Sequence, residues 1–174
     1  MWVVGCSTGD EAYSLAMLFF EAQNRVKNPI QIQIFASDID EVAIETARNG
    51  VYPESIAADV SQERLDRFFV KEENIYRVRK QLREMVVFAN QNIIKDPPFS
   101  RIDILSCRNL LIYMDGDLQK KILPLCHYAL NPKGILFLGP SETIGEFTDL
   151  FQPVDAKWKI FQRREMMTEK TLDY

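Results

Sequence analysis

Short apolar runs alternate with amphipathic stretches along most of this chain. Trp2-Val3-Val4 predicts a buried strand that runs into Gly5-Cys6-Ser7-Thr8-Gly9. The spacing of Leu15, Leu18, Phe19 and Ala22 then predicts a helix with those residues on its inner face. Two overlapping capping-box patterns, Ser7-x-x-Asp10 and Thr8-x-x-Glu11, mark its start. Asn28-Pro29 closes that unit, and residues 32–36 predict a second strand that ends in Asp38-Ile39-Asp40. A short helix through Val42, Ala43 and Ala47 stops at Gly50, a residue suited to a left-handed helix end.

The rhythm then changes. Residues 61–69 read as a helix with Leu65, Phe68 and Phe69 inward, and residues 75–78 and 85–89 read as strands. An apolar run covers residues 102–105. Leu118, Ile122, Leu125 and Ala129 mark a long helix with a kink expected at Pro124. Asn131-Pro132-Lys133-Gly134 predicts a turn, followed by strands at residues 135–138 and 158–162. Residues 164–174 form a polar tail, expected to fray. Strands alternating with helices imply a parallel sheet covered on both faces. Ligands bind such sheets beyond the carboxyl ends of the strands. Four polar clusters fall at those ends, at residues 5–11, 38–40, 90–96 and 106–113.

Composition narrows the chemistry. With 174 residues, 47% hydrophobic and 26% charged, the chain suits a folded domain and excludes a disordered or fibrous one. A net charge of -4 argues against a nucleic-acid partner. No apolar run approaches the roughly 18–20 residues that cross a bilayer, so no membrane insertion is expected. Met1-Trp2-Val3-Val4-Gly5 lacks the basic start of a secretion signal, which implies a cytoplasmic protein with reduced thiols. Cys6, Cys107, Cys126 and the single histidine, His127, offer neither a disulfide framework nor a metal site. No metal is expected, and the chemistry must proceed without a histidine base.

The loop at residues 5–9 matches neither G-x-G-x-x-G, since Ser7 takes the second glycine's place, nor the phosphate loop, since no Gly-Lys-Ser/Thr follows. Asp10 and Glu11 open the next helix. Two carboxylates there would repel a pyrophosphate and suit a cationic ligand, although they also complement the helix dipole. Asp38 has the position of an acid that accepts hydrogen bonds from ribose hydroxyls, and Asp40 that of the next helix's N-cap. A nucleoside with a cationic amino-acid end and no phosphate describes S-adenosylmethionine.

Residues 5–16, Gly5-Cys6-Ser7-Thr8-Gly9-Asp10-Glu11 onward to Ala16, resemble the first motif of the chemotaxis receptor methyltransferase (CheR) family. Ser37-Asp38-Ile39-Asp40 resembles the second. Asn92-Ile93 with Asp96-Pro97-Pro98-Phe99 resembles the third. Cys107-Arg108-Asn109-Leu110-Leu111-Ile112-Tyr113 is similar to the fourth and is the most specific. Gly134, Leu136-Phe137-Leu138-Gly139 and Ser141-Glu142 fit the end of the family's domain. The resemblance covers residues 2–163.

The resemblance implies an α/β fold: a Rossmann-like class I methyltransferase sheet, mostly parallel with seven strands, and a small inserted antiparallel subdomain at residues 51–85. The methyltransferase domain would span residues 1–163. The implied activity is S-adenosylmethionine-dependent methylation of glutamate side chains on the cytoplasmic helices of bacterial chemoreceptors. The alternative is a non-catalytic S-adenosylmethionine-binding or scaffold domain of a larger sensory protein. A methylesterase or sensor module on the same parent chain is a further implied partner. Family members carry an N-terminal helical domain ahead of the first strand, so this sequence is expected to be the catalytic domain without it, with weakened binding or activity. Residues 70–75 are short and lack the glycine of the longer loop with which some members grasp a receptor peptide.

By the same resemblance, Gly5, Ser7 and Thr8 approach the cofactor and Asp38 takes its ribose. Glu11 meets the methionine amino group, a task Asp10 can share. Asn92 and Ile93 lie against the adenine, and Arg108 and Asn109 near the methionine part. Arg108 and Tyr113 are the catalytic candidates: a glutamate is already anionic at neutral pH, and Arg grips a carboxylate with two parallel hydrogen bonds. A surface ion pair for Arg108 and core packing for Tyr113 are the competing readings. Residues 64–83 carry seven basic residues against three acidic ones, which suits steering of an acidic receptor or an ordinary solvated face.

Overall fold

The computed structural model describes residues 1–165, and the expected fraying from residue 166 onward lies outside them. Its contacts divide the chain into two compact units, Met1–Asn92 and Ile93–Tyr174.

In the first unit, β1 (Trp2–Val4) leads to α1 (Asp10–Gln23), β2 (Ile34–Asp38), α2 (Glu41–Asn49) and β3 (Val51–Pro53). Then come α3 (Gln62–Phe68), β4 (Phe69–Glu72), β5 (Ile75–Val78), α4 (Lys80–Arg83) and β6 (Val86–Asn90). β2 pairs in parallel with β1 on one side and β6 on the other. Trp2, Val3, Ile34 and Ala36 are buried without exposure, as continuous apolar runs in a two-sided parallel sheet must be. β3, β4 and β5 form a separate antiparallel sheet, ordered β3-β5-β4. All three lie within residues 51–85. β3 and β4 escape sequence reading because β3 has three residues and β4 starts at the residue that caps α3, with no breaker between them.

The inner face of α1 differs from the expected one. Ala12, Tyr13, Ala16 and Met17 are buried, whereas Leu18 is 49% exposed and Ala22 is exposed. The helix is apolar nearly all round, so its periodicity does not choose a face. Small alanines let it approach the sheet closely. Phe20 instead turns to Phe68, ring centroids 5.5 Å apart and edge-on, with the Arg67 guanidinium over both rings.

In the second unit, β7 (Ile102–Cys107) is followed by α5 (Gly116–Ala129), β8 (Leu130–Leu138), β9 (Phe151–Asp155) and β10 (Ile160–Arg163). β7 and β8 are parallel, and β10 runs antiparallel to both β8 and β9. The larger sheet thus has seven strands, ordered β6-β2-β1 in the first unit and β7-β8-β10-β9 in the second. It is mostly parallel, as expected. The turn expected at residues 131–134 is instead a bulge inside β8. Leu130 pairs with Ile102 and Ile135 with Ile104, so four residues face Asp103 alone. Lys133 takes the positive φ of 63° that this needs. The expected strand at 158–162 begins later, at Ile160, and Trp158 sits exposed before it.

His127 is buried in this unit, edge-on to Phe151 at 5.7 Å. Its Nε2 lies 2.8 Å from the Arg164 carbonyl. A carbonyl only accepts, so Nε2 carries the proton. All three cysteines are buried, and none is in a disulfide. Among the described residues no helix is long and apolar enough to cross a membrane.

Phe68 and Leu18 give opposite expectations for urea unfolding. Phe68→Ala empties a fully buried site and should cost about 3–5 kcal/mol. Leu18→Ala should stay within about 0.5 kcal/mol. A large loss at Leu18 would restore the face read from periodicity.

Candidate functional site

At the carboxyl end of β1 the chain must turn sharply into α1. It does so with Gly5 at φ 67°, Ser7 at φ 50° and Gly9 at φ 89°. Gly9 is required: a Cβ there would lie 2.8 Å from the Ala47 Cβ and 3.2 Å from the Phe88 ring. The expected capping boxes do not form. Gly9 is the N-cap, and no side chain caps the helix. The Ser7 backbone is left-handed, and the Thr8 hydroxyl donates to Asp10 Oδ2 at 3.2 Å.

The loop is tied down by its neighbours. Cys6 N–H donates to the Ser37 carbonyl at 2.9 Å, and Ser7 N–H to Asp38 Oδ2 at 2.8 Å. The buried Tyr52 hydroxyl donates to the Thr8 carbonyl at 2.7 Å. Asp38 Oδ1 also accepts the Asp40 N–H at 2.8 Å. A carboxylate offers about four acceptor sites, so each Asp38 oxygen keeps one for a ligand. Asp40 caps α2, accepting from Val42 and Ala43 N–H at 3.0 and 3.1 Å, as its position predicts. Asn90, which sequence reading did not single out, clamps this corner. Its Nδ2 donates to the Asp38 and Ile39 carbonyls at 3.2 and 2.9 Å. Glu11 is half-buried in the first turn of α1, and Asp10 is exposed. Asn92 is half-buried just past β6.

The Cys6 thiol reports the local field. Burial pushes it from the ordinary 9.0 up to about 12, with Asp38 and then Glu11 adding to the effect. Burial disfavours a charge of either sign there, and the Asp38 and Glu11 carboxylates add a smaller bias against a further negative one.

In the second unit Ile93 is buried. Arg108 follows the end of β7 directly. Its guanidinium lies 4.6 Å from the Phe137 ring centroid, and its buried Nε has no hydrogen-bond partner among the described residues. Asn109 takes φ 58° and is exposed. Tyr113 ends a 3-10 turn, Leu111–Tyr113, and is 82% exposed, which excludes a core role.

Residues 109–112 are held by Glu142, a residue that the motif comparison placed at the domain end without a task. It is 3% exposed. Oε1 accepts from Asn109 and Gly139 N–H at 2.7 and 2.8 Å. Oε2 accepts from Leu110, Leu111 and Ile112 N–H at 3.1, 2.6 and 3.4 Å. Nothing local to Pro140-Ser141-Glu142 signals this, because most of the donors lie some thirty residues earlier in the chain.

The basic stretch at 64–83 is largely neutralised in place. Arg64 pairs with Glu21, Lys71 with Glu54, Arg77 with Glu72 and Lys80 with Glu84. Arg67 lies over two rings, and Arg79 donates to the Asp66 carbonyl.

The family described as "CheR methyltransferase, SAM binding domain" matches residues 1–160. An uncharacterized 104.1 kDa protein of Rhodobacter capsulatus is 43% identical over 162 residues, 93% of this chain and 17% of that protein. The chemotaxis protein methyltransferase Cher2 of Pseudomonas putida is 36% identical, covering 90% of this chain and 58% of the relative. The chemotaxis protein methyltransferase of Salmonella typhimurium is 34% identical, covering 87% and 54%. The chain thus spans about half the length of these two methyltransferases.

The Cys6 shift sets a pH dependence. The native thiol holds its proton to about pH 12, while an unfolded one releases it near its ordinary 9.0. Between those values the unfolded state binds fewer protons, so stability falls as pH rises. Tyr13, raised by burial to about 12, acts in the same direction above its ordinary 10.0. Urea midpoints should fall from pH 8 to 10, and Cys6→Ala should flatten that fall. An unchanged slope in Cys6→Ala would remove Cys6 as its source.

Proposed function

We propose that this chain, which belongs to the CheR methyltransferase family through its SAM binding domain, methylates glutamate side chains of chemoreceptor cytoplasmic helices with S-adenosylmethionine as donor. The observation that carries the reading is Arg108: a guanidinium at a strand's carboxyl end, seated on Phe137, with a buried N–H donor still unmatched.

The residues of the first unit suit the cofactor. Two free acceptor sites on a clamped Asp38 match a ribose diol. Glu11 and the negative field around Cys6 match a cationic amino-acid end. Gly5, Ser7 and Thr8 expose backbone at the turn, and Asn92 and Ile93 are assigned to the adenine side. Arg108 and Asn109 are assigned to the methionine side. When bound, the cofactor supplies an electrophilic methyl group on a sulfonium.

The protein's own tasks are then modest. A glutamate is ionised at neutral pH, with an ordinary pKa near 4.3, so no general base is needed. That agrees with a sole histidine sealed in the core. Arg108 holds the incoming carboxylate by paired N–H donors. Tyr113, with its hydroxyl in the open, orients the carboxylate or the reactive end of the donor. Holding the two reactants in line is worth about 7–11 kcal/mol in favourable cases. The cations of residues 64–83 that lack a carboxylate partner among the described residues, Arg67, Arg79 and Arg83, are the ones left to attract an acidic receptor.

Transfer of labelled methyl from S-adenosylmethionine to receptor cytoplasmic domains, with base-labile product, tests the activity. Binding of S-adenosylhomocysteine without any labelling would favour a cofactor-binding scaffold instead. By calorimetry the chain should bind S-adenosylhomocysteine and not NAD. Asp38→Ala should weaken that binding by about 1–3 kcal/mol, and unchanged affinity would remove Asp38 from the site. Tyr113→Phe keeps the ring and deletes the hydroxyl. It should slow transfer while thermal stability stays unchanged, and wild-type turnover in this variant would end the catalytic assignment.

A further inference from the structure

We infer that Glu142 is the positioning residue of the 108–113 turn, holding Arg108, Asn109 and Tyr113 in their working arrangement without touching either reactant. The inference rests on the proposed methyl transfer for what the turn does, and on geometry for how it is held.

Four successive N–H groups, from Asn109 to Ile112, converge on one carboxylate at 2.6–3.4 Å. Such a run of amides forms a concavity that attracts an anion. Here the protein fills it with its own buried side chain. The same carboxylate takes the Gly139 N–H at 2.8 Å, so one group ties the turn after β7 to the end of β8. The fit admits nothing larger. A Cβ on Gly139 would lie 2.7 Å from both Asn109 Oδ1 and Glu142 Oε1, and 3.0 Å from the Asn109 nitrogen. Asn109 at φ 58° is the residue this tether holds in the left-handed region. Its neighbours are Arg108 on one side and the 3-10 turn that ends in Tyr113 on the other. Releasing the carboxylate would free five N–H groups, and the turn would relax to satisfy them with water.

Glutamine is the sharpest probe, because its amide replaces one acceptor oxygen with a donor aimed at donors. In the wild-type chain the amides of residues 109–112 should exchange slowly with solvent. In Glu142→Gln their exchange should speed up, while the strands of the second unit keep their protection. Affinity for S-adenosylhomocysteine should fall by about tenfold, as for loss of one charged contact. Transfer should lose kcat with receptor KM nearly kept. Glu142→Asp, with the charge retained on a shorter arm, should lie between wild type and Glu142→Gln in both exchange and affinity.

Freely exchanging amides at 109–112 in the wild type would overturn the inference. So would a Glu142→Gln chain with wild-type exchange and affinity. Loss of protection throughout the second unit in both variants would also overturn it, since Glu142 would then hold the fold and not the turn. If the wild type binds no S-adenosylhomocysteine, the methyl-transfer reading fails, and the exchange comparison still decides whether Glu142 tethers the turn.

Discussion

Where a parallel strand ends at its carboxyl side, the chain leaves the sheet and its next N–H groups lose their partners. The two units meet this constraint in the same way, with an acidic side chain. In the first, Asp38 takes the N–H groups of Ser7 and Asp40. In the second, Glu142 takes five, from Asn109 to Ile112 and from Gly139. The difference between the two carboxylates follows from burial. Asp38 is half-exposed and has acceptor capacity to spare, so it can serve a ligand. Glu142 is buried and fully occupied by backbone, so it can only build.

Close approach is the counterpart of these tethers. Gly9 lies against Ala47 and Phe88, and Gly139 against Asn109 and Glu142. Each allows a loop backbone to press on a neighbouring element where any side chain would intrude. A rigid backbone in turn gives the exposed groups their value. Tyr113 is almost fully in solvent, yet it stands only four residues from Asn109, the start of the segment held by Glu142.

The antiparallel sheet of the first unit is bound to the rest of that unit by packing and by charge. Phe68 meets Phe20, the Tyr52 hydroxyl reaches the Thr8 carbonyl, and Arg64 pairs with Glu21. The Tyr52 contact links this small sheet to the loop at residues 5–9. Most of its positive charge is spent on internal pairs that are partly exposed, and such pairs each contribute little to stability. Their larger effect is to leave Arg67, Arg79 and Arg83 as the cations of this stretch without a carboxylate among the described residues.

Features that depend on local chemistry were legible in the sequence. The apolar runs of β1, β2 and β7, the left-handed stop at Gly50, the Asp40 cap and the place of Asp38 at a strand end all follow from a few adjacent residues. The motif around Arg108 and Tyr113 was readable for the same reason, and its family match covers residues 1–160. Tertiary structure alone decided the rest. It chose which face of α1 turns inward, because that helix is apolar on more than one side. It kept residues 131–134 within β8 as a bulge, because pairing with β7 resumes at Ile135. It gave Glu142 its task, since nothing local to Pro140-Ser141-Glu142 marks a buried anchor. Only the return of the chain brings the amides of 109–112, some thirty residues earlier, onto that carboxylate, and a contact at that separation leaves no trace in local pattern.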